Sequence, residues 1–252
     1  MKKNILITGA KGFIGSNLIK KLEKDNNFVI FQFNRDDSLD NLKSYIHEID
    51  FIFHLAGEVR PTTSDEDMKK SNALLTKQIV EILEMKNMKI PLLMTSSIHA
   101  ELLKNEYGRS KKEAEQYLQE YAKHSGMPLW IYRLPHVFGE GCKPNYNSAI
   151  STWIYNSIND LPITVFDRAI PMTYAYVQDI VDEIINHIAN TVSTDSGNIY
   201  SPKILYQTTL GEIVDMLDEF KSFETHNDIV FIGENFKNKL HKTYRDYLDN
   251  KF

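Results

Sequence analysis

In the first half of the chain, apolar residues fall into short unbroken runs separated by stretches with helical spacing. Asn4 to Thr8 is one such run and ends in a cluster of glycines. Phe28 to Phe33, Asp50 to Gly57, Pro91 to Ser97 and Pro128 to Leu134 are others. Polar residues do not alternate with apolar ones in these runs, so both faces of each strand are expected to be covered. Between them, Phe13 to Lys24 carries Phe13, Ile14, Leu18, Ile19 and Leu22 on one helical face. Asp67 to Met88 does the same with Leu75, Ile79, Ile82 and Leu83, and Glu106 to Ser125 is a further helix. Strand and helix in strict alternation predict an α/β fold: a Rossmann-like, doubly wound parallel sheet over residues 1–135.

Beyond Pro135 the texture changes. Gly139, Gly141, Pro144 and several Asn and Ser residues mark loops. Short strands are expected at Ile163 to Phe166 and Asn198 to Tyr200, and helices at Val177 to Ala189 and Leu210 to Phe220. Residues 136–252 read as a smaller substrate-binding lobe over the same ligand edge, with a few segments returning to the core. Near the end, Phe236, Leu240, Tyr244 and Leu248 form an apolar stripe beside Lys237, Lys239, Lys242 and Arg245. That pattern predicts a docked helix with a solvated basic face.

A length of 252 residues, with 42% hydrophobic and 25% charged residues, fits a folded globular chain. The formal charge of −5 offers no basic face for nucleic acid. No segment has the apolar length of a membrane span, and Gly9 and Gly12 interrupt the N-terminal run too early for a signal peptide. The single cysteine, Cys142, allows no internal disulfide. The expectation is a cytoplasmic protein. The eight histidines form no zinc-like cluster, so no metal is expected.

Candidate chemistry gathers at the carboxyl ends of the strands, where open parallel sheets bind ligands. Gly9, Gly12 and Gly15 lie between a strand and a helix, where backbone N–H groups can approach a pyrophosphate. Their spacing is wider in its first gap than the usual dinucleotide fingerprint. The second strand ends in Phe33-Asn34-Arg35 rather than in an acid. A guanidinium there can pair with a 2′-phosphate, so NADP(H) is favoured over NAD(H), although Asp36 or Asp37 could serve a ribose. Tyr107 and Lys111 are spaced to share a helix face. A tyrosine with an ordinary pKa of about 10 is a sluggish acid–base group, and a nearby ammonium favours its ionised form. Ser96 and Ser97 end a strand, and only one of them can face the reaction. His54 reads as a hydrogen-bonded structural histidine, and His99 as a residue within reach of substrate.

The glycine turn, the Ser-Tyr-x-x-x-Lys order and the run Arg133-Leu134-Pro135-His136-Val137-Phe138-Gly139 resemble the extended short-chain dehydrogenase/reductase family, which acts on nucleotide sugars. Three segments, beginning at His54, Cys142 and Thr209, are similar to the reductase domain of the CapF-type capsule enzymes, which reduce a 4-keto UDP-sugar with NADPH. The resemblance implies a Ser97, Tyr107 and Lys111 catalytic set. It implies that Gly9, Gly12, Phe13, Ile14 and Gly15 hold the pyrophosphate, with Asn34 and Arg35 at the adenosine end. Leu55, Ala56, Gly57, Asn72, Thr95 and Pro135 would line the cofactor. Arg60, His99, Arg133, His136, Asn145, Tyr146 and Asn147 would meet the substrate.

CapF-type enzymes carry a C-terminal metal-binding cupin that performs an epimerisation. This chain lacks that segment, so any such step is expected to fall to another protein. The 4,6-dehydratases of the family place Asp-Glu after the catalytic hydroxyl. Ile98 and His99 stand there instead and disfavour dehydration. The expectation is an NADPH-dependent reductase of a nucleotide-linked 4-keto-6-deoxy sugar in surface polysaccharide synthesis, with a homodimer suggested by the resemblance. A 4-epimerase with bound NAD and a non-catalytic cofactor-sensing protein stay open.

Overall fold

The computed structural model describes residues 2–60, 62–146, 148–189, 198–223, 233 and 235–250. The chain forms two compact units. One comprises Met1–Leu134 and Val181–Pro202, the other Pro135–Ile180 and Lys203–Phe252. In chain order the first unit supplies β1 (Lys3–Thr8), α1 (Phe13–Leu22), β2 (Phe28–Phe33), α2 (Leu39–Tyr45), β3 (Phe51–His54) and α3 (Asp65–Lys69). It continues with α4 (Leu75–Met85), β4 (Leu92–Ser97), α5 (His99–Leu102), α6 (Glu106–Ser125) and β5 (Leu129–Leu134). Next come β6 (His136–Phe138), α7 (Ala149–Ile158), β7 (Pro171–Tyr176) and α8 (Val177–Ile185), within which the chain re-enters the first unit. There it adds β8 (Asn198–Tyr200) before β9 (Tyr206–Thr209), α9 (Leu210–Phe223) and α10 (Phe236–Asn250).

The first unit is a six-stranded sheet in the order β2-β1-β3-β4-β5-β8, parallel throughout. Every residue of β3 and β4 is buried, which explains why these strands read as unbroken apolar runs. Leu6, Ile52, Leu92, Met94 and Ile131 of the sheet share one core with Leu83, Ala114 and Leu118 of the helices. Burying one such leucine is worth about 1.5–3 kcal/mol. Strand order reverses between β1 and β3, and in open α/β sheets a ligand crevice opens at that reversal.

α6 has well-marked ends. The Asn105 side chain accepts a hydrogen bond from the Gly108 N–H at 2.9 Å, and Gly126, with φ of +71°, closes the helix in the left-handed conformation. Tyr107 is therefore held in the first turn and Lys111 one turn later.

The second unit has a three-stranded sheet, β6-β7-β9, parallel at β6–β7 and antiparallel at β7–β9. Phe138, Tyr174, Tyr176, Ile213 and Leu217 pack with Phe236, Leu240 and Tyr244 of α10. The apolar stripe is thus buried, but the basic face is not wholly solvated. Lys239 is buried, pairs with Asp179 at 3.3 Å and lies 4.9 Å from the centre of the Tyr176 ring.

Three sequence expectations change. The helix expected from Asp67 to Met88 is two α-helices joined by a π turn at Lys70–Leu74, which carries the buried Asn72. Residues Ile163 to Phe166 form no strand, because β7 already pairs with β6 and β9, and Phe166 is left exposed. Asn198 to Tyr200 is a strand, but of the large sheet, with Trp130 opposite Asn198. Among the described residues no helix is long and apolar enough to cross a membrane.

Candidate active site

The glycine turn fills the crevice between β1 and β3 with backbone. Gly9 has φ of +68°, and its N–H donates to the Phe33 carbonyl at 2.8 Å. A Cβ on Gly9 would lie 2.8 Å from Cα of Ala56, and one on Gly15 would run into the Gly9 carbonyl. No side chain caps α1 at Gly12, so the first N–H groups of Phe13, Ile14 and Gly15 have no side-chain acceptor. This is a cradle suited to an anion at a helix N-terminus. Asn34 braces it by accepting from the Lys11 N–H at 2.8 Å, while Asp37 is engaged by the Asn34 N–H at 2.6 Å. A cleft of about 1100 Å³ runs outward from the turn, lined by Gly9, Gly12, Asn34, Arg35, Ala56 and Arg60 among others.

Glu58 stands in the wall of this cleft, and the sequence reading had not singled it out. Its side chain is 1% exposed and accepts from Arg35 Nη2 at 2.6 Å and Arg60 Nη2 at 2.9 Å. Arg60 Nε and the N–H groups of Val59 and Arg60 also donate to it, at 3.0–3.1 Å. Burial opposes its charge, but the two guanidinium groups and two N–H donors hold the carboxyl well below the usual carboxylate range. Asn72 grips the same residue through the backbone. Its Oδ1 accepts the Glu58 N–H at 2.9 Å, and its Nδ2 donates to the Glu58 carbonyl at 3.0 Å and to Ser110 Oγ at 3.2 Å.

His54 is fully enclosed and lies 2.8 Å from both Thr8 and Thr76. Thr76 gives its proton to the Asn72 carbonyl, so His54 Nε2 must donate to Thr76 and Nδ1 must accept from Thr8. Burial, aided by the charge of Lys111, depresses its pKa to about 3 and keeps the ring neutral. It is a structural histidine, and it links the ends of β1 and β3.

The strand alternation separates the two serines at the end of β4. Ser96 donates to the buried Glu115 at 2.6 Å, whereas Ser97 stands near enough to Tyr107 to pull its pKa down. Ser97 Oγ also accepts the His99 N–H at 3.2 Å, and the His99 ring meets Tyr107 edge-on at 5.8 Å. Lys111 is buried and donates to the Thr95 carbonyl at 3.1 Å. A Cβ on Gly57 would lie 2.9 Å from Lys111 Nζ, so the glycine after β3 makes room for the ammonium.

The electrostatics differ from the simple expectation. Burial pushes the Tyr107 hydroxyl upward, Ser97 opposes this, and Lys111 is not among the causes. Lys111 is itself pushed down to about 8 by burial, against the pull of Glu115.

Two candidate substrate residues are engaged in ion pairs. Arg133 directs Nε and Nη2 to Glu115 at 3.0 and 2.8 Å and Nη1 to Glu101 at 3.4 Å, so its guanidinium is occupied by structure. Arg60 lies beside Arg35 in the cleft wall. Pro135, His136, Asn145 and Tyr146 belong to the second unit. There His136 packs on Tyr174 at 5.7 Å, Asn145 has φ of +54° and Tyr146 is exposed. Asn147 lies outside the described residues. Glu115 was legible only as the residue one turn after Lys111, and Glu58 only as the acid following His54-Leu55-Ala56-Gly57.

Residues 5–201 match the model of the NAD dependent epimerase/dehydratase family. The chain belongs to that family. The family is named for a nicotinamide cofactor, and the glycine turn fits one: α1 starts at Gly12 with no side-chain cap, and the backbone packs too closely at Gly9 and Gly15 for any Cβ. Among its relatives is a UDP-2-acetamido-2,6-beta-L-arabino-hexul-4-ose reductase from Pseudomonas aeruginosa, 37% identical over 97% of this chain. The chain spans 64% of that relative's length. The capsular polysaccharide assembling protein CapF of Staphylococcus aureus superposes with a TM-score of 0.84 at 38% identity, over 97% of this chain and 65% of its own. The Bordetella bronchiseptica enzyme WbmF, crystallised with NAD+, shares the fold at 19% identity, with a TM-score of 0.78 over 99% of this chain and 94% of its own.

Proposed function

We propose that the chain reduces the keto group of a nucleotide-linked 4-keto-6-deoxy sugar, a UDP-sugar in first place, with NADPH. The observation that carries this reading is the Ser97–Tyr107 pair, with Lys111 one turn along α6 and Gly57 beside its ammonium. The P. aeruginosa relative, named as a reductase of a 4-ulose, supports the choice of reaction. The bound cofactor supplies hydride to the carbonyl carbon. Ser97 donates a hydrogen bond to the carbonyl oxygen, and Tyr107 gives that oxygen its proton. Lys111, charged below about pH 8, holds the cofactor's ribose, and Ser97 opposes the upward shift of the Tyr107 hydroxyl. Arg35, with no acid ending β2, supports NADPH over NADH. A cytoplasmic homodimer completes the reading.

Turnover of NADPH against a panel of UDP- and dTDP-4-keto-6-deoxy sugars tests it, with product stereochemistry read by NMR. Tyr107→Phe should lose at least about 100-fold in turnover while binding NADPH as before. Full activity in that variant overturns the assignment. Protein isolated with stoichiometric NAD and showing no net NADPH consumption would make it an epimerase instead.

A further inference from the structure

We infer that Glu115 is a positioning residue of this site: a buried carboxylate that ties the ends of β4 and β5 to α6 and thereby sets Ser97 against Tyr107 and Lys111. The inference rests on the reductase reading and adds to it a residue that none of the candidate chemistry included.

Ser97 rides on β4, whereas Tyr107 and Lys111 ride on α6. The reduction needs all three to meet one bound substrate and cofactor, so the strand end and the helix must keep a fixed offset. Tyr107, Lys111 and Glu115 follow one another at four-residue intervals, which places them in successive turns along one side of α6. Ser96 and Arg133 are direct partners across β4 and β5, and both reach the same carboxylate. Ser96 donates to Oε1 at 2.6 Å and Arg133 Nε to Oε1 at 3.0 Å, while Arg133 Nη2 donates to Oε2 at 2.8 Å. Lys112 adds a donor to Oε2 at 3.4 Å. Two donors on each oxygen occupy the four lone-pair sites, so Glu115 holds its neighbours rather than serving as a base. One turn earlier, Lys111 donates to the Thr95 carbonyl at 3.1 Å. Thr95 through its backbone and Ser96 through its hydroxyl are thus both tied to α6, and Ser97 is the next residue.

Charge extends the role. Burial disfavours the ammonium of Lys111, and the carboxylate of Glu115 opposes the loss of its proton. Around Lys111, His54 on β3 is neutral, Tyr107 on α6 is pushed upward by burial and uncharged at neutral pH, and β4 offers the Thr95 carbonyl. Around Glu115, Arg133 of β5 and Lys112 of α6 are cations, and Glu101 of α5 engages Arg133 at 3.4 Å. Neutralising Glu115 leaves those cations in place, so Lys111 should lose its proton at a lower pH.

Fluorescence titration of NADPH across roughly pH 6 to 9.5, together with steady-state turnover of UDP-4-keto-6-deoxy sugars, tests the inference on variants shown by circular dichroism to be folded. Glu115→Gln keeps the size of the side chain and removes its charge. The midpoint near pH 8 at which NADPH affinity weakens should move down by about one unit. Its kcat should fall at least about tenfold, with KM for the sugar within about threefold. Glu115→Asp should restore the midpoint and recover part of kcat. Ser96→Ala breaks one tie and leaves the charge, so it should lower kcat severalfold without moving the midpoint. A folded Glu115→Gln whose NADPH profile or kcat matches the wild type overturns the inference. Should that variant not fold, Ser96→Ala decides: a severalfold loss of kcat at an unmoved midpoint upholds the inference, and an unchanged kcat overturns it. A wild type that reduces no keto sugar removes the reductase reading, and this extension with it. A wild type that reduces one, matched by Glu115→Gln, removes the extension alone.

Discussion

Among its described residues the first unit has two buried carboxylates, each gripped by arginine, and they behave differently. Glu115 lies on the buried face of α6 with no exposure, and its partner Arg133 is only 12% exposed. Glu58 is 1% exposed, but its arginines stand 65% and 39% exposed in the wall of a cleft. The chemistry of the two clusters is the same, and the direction of the cations is not. Around Glu115 every nitrogen that Arg133 points inward meets protein, so the pair braces β4, β5 and α6. Around Glu58 the two guanidinium groups stand partly in water in the wall of the cleft. An arginine at the carboxyl end of a strand thus has no fixed meaning until its carboxylate is located.

Arg133→Ala attacks the enclosed cluster and should have the largest effect. It leaves Glu115 buried with only Ser96 and the more distant Lys112, and should cost about 3–5 kcal/mol in urea unfolding. A loss below about 1 kcal/mol would erase the contrast. Glu58→Ala should cost less, about 1–2 kcal/mol, because the arginines released already sit partly in water.

Acid separates these carboxylates from His54. A histidine depressed from 6.5 to about 3 binds its proton in the unfolded chain first, so stability falls as pH drops from about 6.5 toward 3. The slope reaches about 1.4 kcal/mol per pH unit. Both carboxyls are depressed below 4.5, so their contributions are present above that pH and are lost only at lower values. His54→Gln should flatten the decline between pH 6.5 and 4.5, and an unchanged slope would assign it elsewhere.

Lys111 works in the other direction along the pH scale. Its ammonium is lost above about 8, so NADPH affinity should weaken severalfold as pH rises past that value. Fluorescence titration across roughly pH 7 to 9.5 checks this, and a flat profile would remove the ammonium from cofactor binding. Arg35→Ala should have the smallest effect on folding, below about 0.5 kcal/mol by thermal melting, because the pair's cation is mostly in water. A larger loss would make Arg35 a brace like Arg133.

What was legible followed from local pattern. β1, β3, β4 and β5 were readable because burial on both faces leaves a continuous apolar run, whereas β2, at the sheet edge, keeps its apolar run with only Phe33 buried. The glycine turn was readable because only glycine tolerates the backbone contact at Ala56. The clusters around Glu58 and Glu115 were not, because Arg35 and Arg133 lie 23 and 18 residues from them in sequence and a carboxylate carries no mark of burial. Ser97 could be preferred to Ser96 only by resemblance, and the geometry that separates them is Glu115 on the opposite face. β6 and β9 escaped because they are only three and four residues long, and β7 because Pro171 opens it; they acquire strand character through one another.

The sixth strand has a consequence for synthesis on the ribosome. β5 emerges with Trp130, Ile131 and Tyr132 on a sheet edge whose partner, β8, begins only at Asn198. All of the second unit's first segment, Pro135–Ile180, must be translated before that edge can close. Until then the nascent chain exposes an apolar, hydrogen-bond-hungry border, the kind of template on which chains pair wrongly. Ribosome-bound chains halted before Asn198 should therefore recruit chaperones, and those released after Tyr200 should not.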